Sequence, residues 1–111
     1  MIVSFERRKH KRLPIWQPVH YTYYKNDTKC SHIAFTRDIS KTGILLQTDV
    51  DIPFDVPIEL FIRADKKNKI KVTGKIARMF VDKNGDFKAG ILFDKTPKNY
   101  NLLIQDLETA I

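Results

Sequence analysis

Hydrophobic and polar positions alternate along most of this chain with a period of two. The stretch from about Gln17 to Lys25 is dense in aromatic and β-branched residues (Val19, Tyr21, Thr22, Tyr23, Tyr24) and predicts a strand. Asn26-Asp27-Thr28 reads as a turn. Strands follow at roughly His32–Arg37 and Gly43–Thr48. Asp51-Ile52-Pro53 and Asp55-Val56-Pro57 are breakers, and then Ile58, Leu60 and Ile62 alternate with Glu59 and Arg63. Asp65–Lys69 is a solvated, Lys-rich turn. Ile70–Val81 is long for one strand, with Gly74 as a candidate bulge or bend. Asn84-Gly85 is the strongest hairpin signal and predicts a type I′ turn into a strand carrying Phe87, Ala89, Ile91 and Phe93.

The period changes at the C-terminus. Tyr100, Leu103, Ile104 and Leu107 fall at i, i+3, i+4 and i+7, one apolar stripe of a helix over about 97–110. Thr96 is the candidate N-cap and Pro97 the first helical residue. The pattern is therefore an all-β fold, six short antiparallel strands and then one helix. Closure into a small barrel removes the exposed edges that an open sheet would leave. Period two sets Tyr21 and Tyr23 on one face, read as barrel core in preference to a base-stacking platform.

The 111 residues make one domain. No apolar run approaches the roughly 20 residues of a membrane helix, and MIVSFERRKHKR lacks the apolar region of a secretory signal. The single Cys30 excludes an internal disulfide and a multi-cysteine zinc site and fits a reducing cytoplasm. His10, His20 and His32 are scattered, so no metal ligand set is expected.

Charge points to an anionic partner. The net +7 is concentrated: Arg7, Arg8, Lys9, Lys11 and Arg12 with Glu6 contribute +4 of it within seven residues. Residues 1–13 are expected to be a flexible basic arm, and 14–111 the barrel domain with its helix. No catalytic constellation accompanies them: there is no Walker loop, no G-x-G-x-x-G and no supported Ser/His/acid order. A binding module, not an enzyme, is the reading.

Two motifs remain. Arg8-Lys9-His10-Lys11-Arg12 is an R-x-x-x-R, preceded by Arg7. Asp38-Ile39-Ser40-Lys41-Thr42-Gly43 is a D-x-S-x-x-G between two predicted strands. In this order, on this all-β pattern, they resemble the PilZ domain, a bacterial receptor module for cyclic di-GMP. The similarity runs through ERRKHKRLPI, RDISKTGILLQT, GKIARMF and AGILF, nearly the whole chain. It implies a PilZ-like barrel, cyclic di-GMP as the ligand (no cofactor), and ligand binding by Arg7, Arg8, Arg12, Asp38, Ser40 and Gly43. An arginine at position 7, ahead of the motif, further implies two ligand molecules per chain. The output is then a changed surface offered to a downstream protein.

The chemistry fits residue by residue. An arginine fork matches guanine O6 and N7, and Asp38 suits the N1–H and N2–H₂ donors. Ser40 offers a short donor and acceptor, and Gly43 lets a backbone approach without a Cβ. Asp38, Ser40 and Gly43 are also turn residues and are expected to build a tight turn as well. Trp16 reads as a hydrophobic anchor ahead of a base-stacking surface. The alternative function is a small-barrel nucleic-acid-binding protein using the basic arm and aromatic residues. It would spread cations along a groove across the sheet, whereas here they crowd one arm.

Overall fold

Buried and more exposed residues alternate through much of each strand, with breaks at bulges, and the six strands close on themselves. The computed structural model describes residues 13–48, 52–63 and 67–110. In chain order the strands are β1 (Pro18–Lys25), β2 (Thr28–Ile39), β3 (Gly43–Thr48), β4 (Ile58–Arg63), β5 (Lys69–Val81) and β6 (Phe87–Lys95), followed by helix α1 (Lys98–Ala110). The barrel order is β1-β2-β3-β6-β5-β4, antiparallel throughout, and β4 returns to β1 through Tyr21↔Leu60. The expected six-stranded barrel with a C-terminal helix is what forms.

The inward faces supply Val19, Tyr21, Leu46, Ile58, Leu60, Ile62, Val72 and Ile91, each nearly or fully excluded from solvent. Side chains of this size contribute about 1.5–3 kcal/mol each on burial. Tyr21 and Tyr23 are core residues, as the alternation predicts. Tyr21 keeps its hydroxyl satisfied against Thr48 Oγ1 at 3.1 Å. On α1 the predicted stripe is the buried one: Tyr100 and Ile104 are fully covered, with Leu103 and Leu107 half-buried. Pro97 takes the N-cap position expected of Thr96, and Lys98 is the first helical residue: the Pro97 carbonyl accepts from Asn101 N at 3.2 Å while the Thr96 hydroxyl donates to Asn101 Oδ1.

Three local features differ from, or refine, the sequence reading. Leu13, placed at the end of the flexible arm, is instead a core residue. It pairs with Ile39, donating to Ile39 O at 2.8 Å and accepting from Ile39 N at 3.0 Å, and it has no exposed surface. Residues 1–12, and with them the expected mobility of the arm, lie outside the described residues.

The type I′ turn expected at Asn84-Gly85 is found instead at the first hairpin. Asn26 and Asp27 both have positive φ (51° and 64°) in a two-residue loop between paired Lys25 and Thr28, as a type I′ turn requires. At the other hairpin Gly85 has φ 85° but Asn84 does not turn positive. The Asp82 carboxylate is the reason. Its Oδ1 accepts from Asn84 N at 2.9 Å and Asp86 N at 3.0 Å, fixing a three-residue loop closed by Asp82 N donating to Asp86 O. Its Oδ2 pairs with the Lys88 ammonium.

Gly74 does sit at a bulge. The register steps from Thr73↔Lys95 to Gly74↔Phe93, leaving Asp94 unopposed. A Cβ on Gly74 would lie 2.5 Å from Leu92 O, so the strands can approach here only without one.

Candidate ligand-binding site

The D-x-S-x-x-G segment forms the end of β2, the tip of the β2–β3 hairpin and the first residue of β3. Ser40 knots this tip. Its Oγ accepts from Thr42 N (3.3 Å) and Gly43 N (3.2 Å) and donates to Gly43 O (3.3 Å), while its main-chain N–H donates to Gly43 O at 2.9 Å. The residue is only 6% exposed. Gly43 is needed for closeness within the sheet: a Cβ there would lie 2.6 Å from Ile91 O on the neighbouring β6. Both residues therefore shape the turn, and the space gained at Gly43 is taken by β6 backbone.

Asp38 has a different environment, and a bulge produces it. Between Thr36↔Leu46 and Asp38↔Leu45 the register slips by one residue at Arg37. Strict alternation from Thr36 would turn Asp38 into the core. Instead Thr36 and Ile39 are both buried, Arg37 is exposed and Asp38 half-buried, so two consecutive polar side chains share the outer face.

The segment before β1 lies against this bulge. Gln17 O accepts from Thr36 N at 2.8 Å, Gln17 N donates to Thr36 Oγ1 at 3.0 Å, and the Thr36 hydroxyl donates to Ile15 O. With Leu13 bonded to Ile39, residues 13–17 extend the β1–β2 pairing to the hairpin tip. Pro14 and Trp16 face outward and Leu13 inward. Trp16 stacks on Phe35 (5.0 Å between ring centres, 8° between planes), and the Arg37 guanidinium carbon lies 5.0 Å from the centre of a Trp16 ring. Arg37 also reaches Gln47 Oε1 at 3.5 Å. Further along the same face Ile33, Phe35, Gln47, Gly85, Asp86 and Phe87 border a shallow groove of about 350 Å³.

From below, Tyr100 of α1 donates its hydroxyl to Ser40 O at 2.5 Å and packs edge-on against Phe93. Burial pushes the Tyr100 phenol well above its ordinary pKa.

Of the six residues expected to bind ligand, Asp38, Ser40 and Gly43 come together at one hairpin tip, with Asp38 facing outward. Arg7, Arg8 and Arg12 lie outside the described residues. The bulge that leaves Asp38 beside Arg37 on the outer face was missed because the slip shows only in the pairing of β2 with β3. Among the described residues no group of three or more His, Cys, Asp or Glu could hold a metal, and no helix is long and apolar enough to cross a membrane.

The family model of the PilZ domain matches residues 6–109. No curated protein matches the sequence significantly. Among solved structures, the inhibitor of motility MotI/DgrA of Bacillus subtilis is similar at a TM-score of 0.76 and 18% identity, over 96% of this chain and 51% of that one. PlzA of Borreliella burgdorferi, solved in complex with c-di-GMP, gives 0.66 and 24%, over 91% of this chain and 40% of that one. The PilZ domain of YcgR from Escherichia coli, with c-di-GMP, gives 0.64 and 12%, over 95% and 94%. The chain thus spans about half the length of the first and two fifths of the second.

Proposed function

This chain belongs to the PilZ domain family, and from that premise we propose that it is a receptor for cyclic di-GMP. The ligand is held between the outer face at Asp38 and the arginines Arg7, Arg8 and Arg12. The observation that carries the reading is the pairing of Leu13 with Ile39. Leu13 follows Arg12 in sequence and Ile39 follows Asp38, so the basic arm enters the fold at the D-x-S-x-x-G turn. Two main-chain hydrogen bonds join Leu13 to Ile39, the residues that directly follow Arg12 and Asp38 in sequence.

The residues divide the recognition between them. Asp38 accepts from guanine N1–H and N2–H₂. The arginine forks bind O6 and N7 or the phosphates, in charge-assisted bonds that are the strong class. Ser40 and Gly43 hold the tip in shape beneath the ligand. Ordering about seven arm residues costs roughly 1–2 kcal/mol each for the backbone. Micromolar binding requires about −8 kcal/mol net. The gross interaction must therefore be large, which several bidentate pairs plus base stacking supply and a single contact does not.

Arg7 adds a cation at the head of the arm, which favours two ligand molecules per chain, since an intercalated pair presents four phosphates. The clamped arm changes the surface offered to a downstream protein, and the chain performs no chemistry itself. The lone Cys30 fits operation in the cytoplasm. Calorimetric titration tests the proposal: saturable binding of cyclic di-GMP is expected, with cyclic di-AMP much weaker because adenine lacks O6 and the N2–H₂ donor. Equal binding of both, or of neither, rejects it.

A further inference from the structure

Trp16 is the only tryptophan of the chain, and it is not a buried anchor: 56% of its surface is exposed. It is nevertheless held. Phe35 lies parallel beneath it at 5.0 Å, Arg37 approaches the ring at 5.0 Å, and main-chain bonds on both sides fix its segment against β2. A large planar surface is thus fixed in orientation, about half in water, with an aromatic ring and a guanidinium packed against it. A merely structural tryptophan buries its faces. One that is held flat and left open resembles the aromatic platforms on which bases stack.

Its position relative to Asp38 is set by the bulge. Arg37 and Asp38 are consecutive and share the outer face, and Trp16 contacts the first of them. Arg37 therefore links the two: it touches the indole and directly precedes the carboxylate in β2. A base whose Watson–Crick edge meets Asp38 can lay its face over Trp16, while Arg37 attracts the attached phosphate.

We propose that Trp16, seated on Phe35 and Arg37, is the stacking surface for a guanine of the bound dinucleotide. This rests on the receptor reading above. It also divides the labour at the site. Stacking tolerates every base, because each has a π-face, so Trp16 sets affinity; Asp38 reads the edge, so it sets identity.

The test uses that division. Trp16 is the sole indole fluorophore, so its emission reports the stack directly. The full chain and its Trp16→Ala, Trp16→Phe and Asp38→Ala variants are titrated with cyclic di-GMP and cyclic di-AMP by calorimetry and, for the tryptophan-containing proteins, by emission. Wild-type emission is expected to be quenched with the calorimetric midpoint. Trp16→Ala should weaken cyclic di-GMP roughly 5- to 150-fold, the range of one base stack, and leave the preference over cyclic di-AMP unchanged. Trp16→Phe should recover most of the affinity, and Asp38→Ala should collapse the preference. Calorimetric binding with unchanged emission, or Trp16→Ala binding like wild type, overturns the stacking proposal and leaves the receptor reading standing. Absence of wild-type calorimetric binding overturns both. Should Trp16→Ala fail to fold by circular dichroism, the emission titration and Trp16→Phe decide.

Discussion

Tyr100 donates its phenolic hydrogen to the main-chain carbonyl of Ser40, 60 residues earlier, at 2.5 Å and out of solvent. The C-terminal helix is thereby tied to the hairpin tip that carries the candidate site. Tyr100→Phe leaves the Ser40 carbonyl buried without its partner, so a loss of about 1–3 kcal/mol is expected. For a domain of this size that is a fall in Tm of at least about 4 °C, readable by thermal melting. An unchanged Tm would show that the tie contributes nothing.

The same phenol gives a pH dependence. Its pKa is raised in the fold by burial, so the unfolded chain loses this proton first as pH rises. Its stabilising contribution is complete below the unfolded tyrosine value of about 10 and declines above it. Tyr23 is shifted in the same direction, first by burial and then by Cys30. Melting between pH 9 and 11 should show a steeper decline for wild type than for Tyr100→Phe.

Ser40 and Gly43 should act on folding before they act on ligand. Ser40→Ala removes the hydroxyl that bridges Thr42 N, Gly43 N and Gly43 O, with an expected cost of about 1–2 kcal/mol. Gly43→Ala drives a methyl into Ile91 O and should cost about 1–3 kcal/mol from overpacking alone. Denaturant melts without ligand separate these losses from any change in affinity.

Asp38→Ala should behave in the opposite way. Its side chain is turned outward by the Arg37 bulge, so ligand-free stability is expected to move by less than either turn variant, while cyclic di-GMP affinity falls by about 2–5 kcal/mol. Arg8→Ala and Arg12→Ala should show the same loss in affinity, with a weaker salt dependence of binding because a screened phosphate contact is gone. Normal binding by both arginine variants rejects the arm as a ligand clamp.

Arg7→Leu addresses stoichiometry. If a cation at the head of the arm supports the second ligand molecule, calorimetry at fixed salt should give a ratio near two for wild type and nearer one for the variant. A charge-only role lowers affinity and leaves the ratio alone.

Much of the architecture was legible in the chain. Alternation of Ile58, Leu60 and Ile62 with Glu59 and Arg63 placed β4, and the Tyr100–Leu107 stripe placed the helix. These are local signals: which side of a strand or helix is apolar follows from the order of neighbours. The D-x-S-x-x-G turn was also local, because its residue types bond their own backbone.

What the sequence left open depends on contacts between distant segments. The outward turn of Asp38 comes from one extra residue in β2 relative to β3, a count that only the pairing of the two strands establishes. The turn types at Asn26-Asp27 and Asn84-Gly85 were decided by whether a nearby carboxylate, Asp82, captures the loop amides. Leu13 belongs to the core because it pairs with Ile39 through two main-chain hydrogen bonds, and Trp16 stays half in water because it packs on the outer-face side chains Phe35 and Arg37 instead of the core. Composition and spacing name the residues that could bind an anionic purine. The register of β2 against its two neighbours decides which of them face it.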